Sequence, residues 1–254
     1  MAMRLKEKVA IVTGAGSGFG EGIARRFALE GAYVIVNDLD VENGKRVAHE
    51  IQQAGAPAEF VWGDVSRDAD VANLVKTTLD HYGGIDVYVN NAGVTHRNRP
   101  MLEVTEAEFD RIYAVNVKSL FLAAKHVVPL YRGQGGGVFI TIGSTAAVRP
   151  RAGLTWYNGS KGAAITTSRS MAVELAPDRI RVNCINPVIG ETGLIEDFMG
   201  MADTPENRQK FIAGIPLGRF SKPSDIAAAA VFLASDEAAF ITGACLEVDG
   251  GRCV

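Results

Sequence analysis

The chain has 254 residues, 47% hydrophobic and 22% charged, with a net charge of −3; that balance fits a globular protein with a well-buried core and lacks the basic excess that a nucleic-acid partner would call for. No apolar run approaches the roughly 18 residues needed to span a bilayer, and the opening stretch reads as the start of a strand instead of a signal peptide, so no membrane partner and a cytoplasmic location are expected. The three cysteines, Cys184, Cys245 and Cys253, form no closely spaced pair and suit buried or free thiols in a reducing compartment, and the four scattered histidines predict no metal site.

Apolar strand-like runs recur along the chain, with helix-length amphipathic segments between them. KVAIVT (8–13) leads into a glycine-rich turn, and Gly18 to Glu30 has helical spacing. AYVIVND (32–38) is followed by a helical pattern from Val41 to Ala54, and AEFVWGD (58–64) by one from Asp68 to Tyr82. IDVYVNN (85–91) precedes a long helix predicted from about Thr105 to Tyr131. GGVFITIGS (136–144), a helix from Thr155 to Leu175 and IRVNCINP (180–187) come next, and KPSDIAAAAVFLAS (222–235) and ACLEVDGG (244–251) close the chain. Continuous runs rich in Val and Ile suit strands buried on both faces of a parallel sheet. The β-then-α alternation predicts right-handed βαβ units, hence an α/β fold with a doubly wound parallel sheet. With no composition break, linker or repeat, residues 1–254 are expected to form a single domain. The least regular stretch, Pro187 to Pro216, is larger than a simple connection and is a candidate substrate lid.

VTGAGSGFGEG joins the first strand to the first helix. Glycines there let the chain turn tightly and let a phosphate approach the backbone, where the helix N-terminus offers free N–H groups and partial positive charge. The spacing, Gly14-x3-Gly18-x-Gly20, is not G-x-G-x-x-G in either register; a tight turn with no ligand is the plain alternative. Asp38 ends the second strand eighteen residues beyond Gly20. A carboxylate at that place can accept hydrogen bonds from the adenosine ribose hydroxyls and repels a 2′-phosphate. No Arg or Lys in the glycine turn or directly after Asp38 offsets that repulsion, so NAD is favoured over NADP.

Taken together, these residues resemble the short-chain dehydrogenase/reductase family over essentially the whole chain. TGAGSGFG matches its T-G-x3-G-x-G pattern, Asn90 to Gly93 (NNAG) its fourth-strand motif, and Asp64 with Val65 its adenine-contacting position. Asn116 matches the Asn of the long helix, Ser144 stands thirteen residues before Tyr157, and Tyr157 with Lys161 gives Y-x3-K. The resemblance implies a single Rossmann-like domain with a parallel sheet of about seven strands, assembled as a dimer or, as expected here, a homotetramer. It implies a catalytic set of Asn116, Ser144, Tyr157 and Lys161. It further implies cofactor contacts from Gly14, Ser17, Gly18, Phe19, Gly20, Asp38, Asp64, Val65, Asn91, Ala92, Gly93, Tyr157, Lys161, Pro187 and Thr192. One departure is visible: the family's P-G-x-[VI]-x-T reads Pro187-Val188-Ile189-Gly190-Glu191-Thr192 here.

Oxidising an alcohol removes a proton from oxygen and a hydride from carbon, and NAD accepts the hydride. Tyr157 is the candidate base, but a free phenol near pKa 10 is too weakly acidic to act near neutrality. Lys161, at i+4 on the same helix face, is within a few ångströms. At about 4 Å and an effective dielectric near 20 the attraction is about 4 kcal/mol, or about three pKa units, which would bring Tyr157 close to 7 against the opposing effect of burial. Ser144 can donate to the substrate oxygen. By resemblance, Lys161 also holds the nicotinamide ribose, and Asn116 supports a water that links Lys161 to solvent. His96, Arg97 and Arg99 follow NNAGV, and Arg149 and Arg151 follow Ser144. The four arginines suit a carboxylate, phosphate or sulfonate, or simply solvated loops and subunit salt bridges. Trp156, Phe198 and Met199 are open between pocket and packing roles. The expected substrate is a secondary alcohol or its ketone, preferably a sugar or polyol, with a 3-oxoacyl thioester as the closest competitor. Readings of other classes are a methyltransferase and a non-catalytic NAD sensor.

Overall fold

The computed structural model describes residues 3–254. Seven strands form one parallel sheet in the order β3-β2-β1-β4-β5-β6-β7. They are β1 (Val9–Thr13), β2 (Tyr33–Asp38), β3 (Ala58–Trp62), β4 (Val87–Asn90), β5 (Gly137–Ile142), β6 (Ile180–Pro187) and β7 (Cys245–Val248). The helices are α1 (Gly18–Leu29), α2 (Val41–Gln53), α3 (Asp68–Tyr82), α4 (Glu106–Tyr113), α5 (Ser119–Gln134), α6 (Thr155–Leu175), α7 (Ile195–Met199), α8 (Pro205–Ile212) and α9 (Pro223–Ala234). Alternate residues of the inner strands feed two separate cores, whereas the edge strand β7 reaches only one of them, through Val248. Val12, Val34 and Val36 pack with Phe27 of α1, Val47 of α2 and Val231 of α9. Ile11 and Ile35 pack with Leu74 of α3, Tyr131 of α5 and Leu175 of α6. Both strand faces are therefore apolar, which is why the runs are continuous and not alternating.

Helix ends follow local chemistry. Asp40 accepts from the Asn43 N–H at the start of α2, Thr105 and Glu108 form a reciprocal capping box at α4, and left-handed glycines, Gly83 and Gly135, end α3 and α5. The long helix expected over Thr105 to Tyr131 is instead two helices joined by a π-helical turn, Ala114–Lys118, with Asn116 inside it, and the second helix runs on to Gln134. Such turns insert an extra residue and rotate the side chains that follow. The segment after β6 holds α7 and α8, which close a small core of their own from Val188, Ile195, Met199, Ile215 and Phe220.

The order reverses between β1 and β4, because β2 and β3 lie on one side of β1 and β4 to β7 on the other. In such a sheet the crevice beyond the C-terminal strand ends is where a ligand fits. Among the described residues no helix is long and apolar enough to cross a membrane, and no cluster could hold a metal ion. All three thiols are free, and Cys184 and Cys245 are register partners on β6 and β7.

Candidate active site

The glycine turn lies at the C-terminal end of β1. Gly14 and Gly18 have φ of 61° and 56°, and a Cβ on Gly14 would come 2.8 Å from the Ala92 Cα. No side chain caps the first turn of α1, so its N–H groups stay open to an anion. Asp38 lies beside this cradle. Its Oδ2 accepts from Gly16 N at 2.8 Å and its Oδ1 from Asp40 N at 2.9 Å. Asp64 accepts from the Ser66 backbone N–H and hydroxyl, and from Arg111 Nη1 at 3.0 Å. Burial pushes the Asp64 carboxyl up, but those donors outweigh it and hold it below the usual carboxylate value. Asn91 is a strut: its Nδ2 donates to the Thr13 and Gly14 carbonyls at 2.8 and 3.1 Å, tying the end of β4 to the turn.

Ser144 follows β5, and Tyr157 and Lys161 lie one turn apart at the buried start of α6. Ser144 Oγ accepts from Ala146 N at 3.1 Å, which leaves the hydroxyl proton free to donate elsewhere. Burial pushes the Tyr157 phenol up to about 12, with Ser144 pulling the other way. Lys161 Nζ donates to the Ile142 carbonyl at 2.8 Å and lies 6.0 Å from the centre of the Tyr157 ring. Burial brings its ammonium down to about 8. The value near 7 expected for Tyr157 is thus not met in the unliganded chain: desolvation dominates the phenol, and the ammonium is turned to a carbonyl.

Asn116 stands behind these groups. Its Oδ1 accepts from Val94 N at 2.9 Å, and its Nδ2 donates to Val94 O at 2.9 Å and to Ser160 Oγ at 3.0 Å. A Cβ on Gly93 would be 3.3 Å from Lys161 Nζ and 3.4 Å from Asn116 Oδ1, so the loop after β4 passes close to both side chains.

A family model described as enoyl-(acyl carrier protein) reductase matches residues 14–252. A 4-formylbenzenesulfonate dehydrogenase of Comamonas testosteroni is 52% identical over 98% of this chain and 99% of its own length. The chain belongs to the short-chain dehydrogenase/reductase family. It is accordingly an oxidoreductase. Two solved members of this family share its fold. A 3-ketoacyl-(acyl-carrier-protein) reductase from Brucella melitensis complexed with NADH superposes with a TM-score of 0.92 at 44% identity, over 98% of this chain and 100% of that one. A 7α-hydroxysteroid dehydrogenase complexed with NADH and 7-oxo glycochenodeoxycholic acid gives 0.92 at 38% identity, over 98% and 95%.

In this short-chain dehydrogenase/reductase one cavity gathers Gly14, Ser17, Gly18, Phe19, Asp38, Asp64, Val65, Asn91, Ala92, Gly93, Pro187 and Thr192 with Ser144, Tyr157 and Lys161. Gly20, expected at the cofactor, does not line it. It lies inside α1, where a Cβ would collide with Gly14 O at 2.1 Å, so its role is to seat the helix on the turn. The changed order after Pro187 has a steric cause. A Cβ on Gly190 would lie 2.3 Å from Phe19 Cζ, so the large side chain in the glycine turn fills the space that a side chain at that point would need. Gly143 lines the cavity beside Ser144, and a Cβ there would meet Asn186 Oδ1 at 2.2 Å. Phe198 lines the cavity and stacks edge-on to Tyr157 at 5.1 Å, whereas Met199 is in the small core and Trp156 packs on Phe109. His96 is buried beside the Arg97 carbonyl and does not line the cavity.

Three contributors were missed in the sequence. Arg46, distant in sequence, donates to Gly16 O at 3.1 Å, although Glu21 and Glu50 neutralise it. Arg111 holds Asp64, and Arg252 reaches the cavity from beyond β7. No local pattern marks any of the three.

Proposed function

We propose that this chain is an NAD(H)-dependent oxidoreductase that interconverts an alcohol and a carbonyl compound. The observation that carries this reading is the meeting of an open phosphate cradle, the Asp38 carboxylate and the Ser144, Tyr157 and Lys161 side chains in one cavity. The residues fit the cofactor: Gly14 and Gly18 admit a pyrophosphate to the backbone, and Asp38 suits ribose hydroxyls and disfavours a 2′-phosphate. When bound, NAD supplies the hydride acceptor. Ser144 donates its free hydroxyl proton to the substrate oxygen, and Tyr157 exchanges a proton with it. With its phenol pushed up to about 12, Tyr157 is protonated at neutral pH and ready to protonate a carbonyl oxygen. In the oxidative direction it needs positive charge beside it, which Lys161 and the oxidised cofactor provide. Asn116 acts by positioning, through Val94 and Ser160.

Leu154 and Phe198 give the cavity apolar walls, which favours a substrate with an apolar body over the sugar or polyol preferred from the sequence. The relative named for 4-formylbenzenesulfonate supports that choice. Exposed Phe121 on α5 and Val173 on α6, 63% and 81% accessible, support assembly through these helices into a tetramer; a monomer in light scattering would refute it. To test the chemistry, Tyr157→Phe should lower kcat by about 10²–10⁴-fold while NADH still quenches protein fluorescence. Full activity in that variant would overturn the mechanism.

A further inference from the structure

The arginines that the sequence leaves undecided separate in the structure. Arg99 is ion-paired with Glu108, and Arg97 reaches outward to the Gly200 carbonyl at 3.5 Å. Arg149 and Arg151, on the loop between β5 and α6, line the cavity with Ser144 and Tyr157, and Arg252 joins them from the turn after β7. Many of the chain's other arginines are ion-paired, as with Arg4, Arg25, Arg46, Arg132, Arg208 and Arg219, while Arg97, Arg169, Arg179 and Arg181 are not and lie outside the cavity. Among the described residues these three have no acidic partner within ion-pair distance, although all three line the same cavity.

We propose that Arg149, Arg151 and Arg252 form a seat for an anionic group of the substrate, a carboxylate or a sulfonate. This rests on the active-site reading above and deepens it to a substrate class: an alcohol or carbonyl compound carrying an organic anion on its far end. The seat is built, not a chance gathering of long side chains. The Arg151 carbonyl accepts from Asn158 Nδ2 at 2.8 Å, which fixes it to the first turn of α6 beside Tyr157. The Arg151 guanidinium carbon lies 4.5 Å from the centre of the Phe211 ring, a cation–π contact that holds the side chain in place while its N–H groups make no hydrogen bond to the chain and can meet an anion. Arg149 Nη1 donates to the Arg252 carbonyl at 2.6 Å, joining the two loops. Asp249 accepts from Gly251 N and Cys253 N at 2.9 and 2.8 Å, which spends that carboxylate on the shape of the turn that carries Arg252. The arrangement is electrostatically unfavourable without a counter-charge: burial, then the neighbouring Arg252, bring the Arg151 guanidinium down to about 10. An anion between the two would remove that repulsion. Leu154 and Phe198, which line the same cavity and cluster with Tyr157, suit a ring or short apolar chain between the anion and the reacting carbon.

The test is titration calorimetry with benzenesulfonate and benzoate as anionic probes, and benzenesulfonamide and benzamide as neutral ones. Each is titrated into the free enzyme and into the NADH-saturated enzyme. The wild-type chain should bind the anions about tenfold or more tightly than their neutral partners. Arg151→Met and Arg252→Met should each remove most of that preference, Arg151→Lys should keep part of it, and Arg97→Met should keep all of it. The stronger of the two anions identifies the preferred group. Equal affinity for anions and neutrals in the wild-type chain, or an undiminished preference in both Arg151→Met and Arg252→Met, would overturn the seat. Failure of NADH to bind, with anion preference still dependent on Arg151, would instead overturn the cofactor reading and leave the seat standing.

Discussion

Asn116→Ala separates a positioning role from a purely local one. The side chain is 2% accessible and makes three hydrogen bonds, two to the backbone of Val94 and one to Ser160 Oγ, at 2.9, 2.9 and 3.0 Å. Removing it leaves the Val94 N–H and C=O without partners. A buried polar group left unpaired costs about 1–3 kcal/mol. Val94 is half-buried and water can enter the gap, which sets each of its two groups at the low end. Ser160 retains its bond to the Tyr157 carbonyl at 2.8 Å and loses only an extra donor. The sum is about 2 kcal/mol, which for a chain of this size lowers Tm by about 4–8 °C. Calorimetry of the unliganded protein reads this directly, and turnover should fall with it because Gly93 and Lys161 lean on the same loop. A loss of stability below about 1 kcal/mol would show that the π-helical turn holds without Asn116 and would refute the account.

Two further outcomes are expected. Lys161, at about 8 in the folded chain against an ordinary 10.5, binds fewer protons folded than unfolded between those values, so its contribution to stability rises with pH there. Between pH 8 and 10 the unliganded wild type should therefore gain about 2 kcal/mol relative to Lys161→Met; denaturant titrations showing a flat or falling difference would contradict the burial of a charged ammonium. Asp38→Asn keeps an acceptor for Gly16 N but removes the charge, so the ratio of kcat/KM for NAD over NADP should drop about tenfold or more. An unchanged ratio would mean that Asp38 serves only the turn.

Much of the site was legible because its chemistry is carried by short local patterns. Tyr157 and Lys161 are brought together by one helical turn, and Gly14 and Gly18 by the tight turn that a strand-to-helix connection needs. Helix boundaries at Asp68–Tyr82 and Thr155–Leu175 follow from periodicity and end signals. The break at Asn116 leaves no mark in the sequence because the apolar pattern is continuous across it; the π-helical turn is held by a bond to Val94, twenty-two residues earlier. The Tyr157 phenol lies above its ordinary value and not below it, because the opposing effect of burial outweighs the attraction of Lys161, and how completely the start of α6 is covered is decided by packing.

The sequence by itself determined the doubly wound sheet, the glycine turn and the residues that meet at its C-terminal edge, since strand and helix periods and local spacings are properties of neighbours in the chain. Tertiary structure alone decided the rest. It set Gly190 against Phe19, turned Lys161 to the Ile142 carbonyl and paired Arg99 with Glu108. It also left Arg149, Arg151 and Arg252 together without a counter-charge. Each of these depends on the distance between groups far apart in sequence, and packing and electrostatics act on that distance.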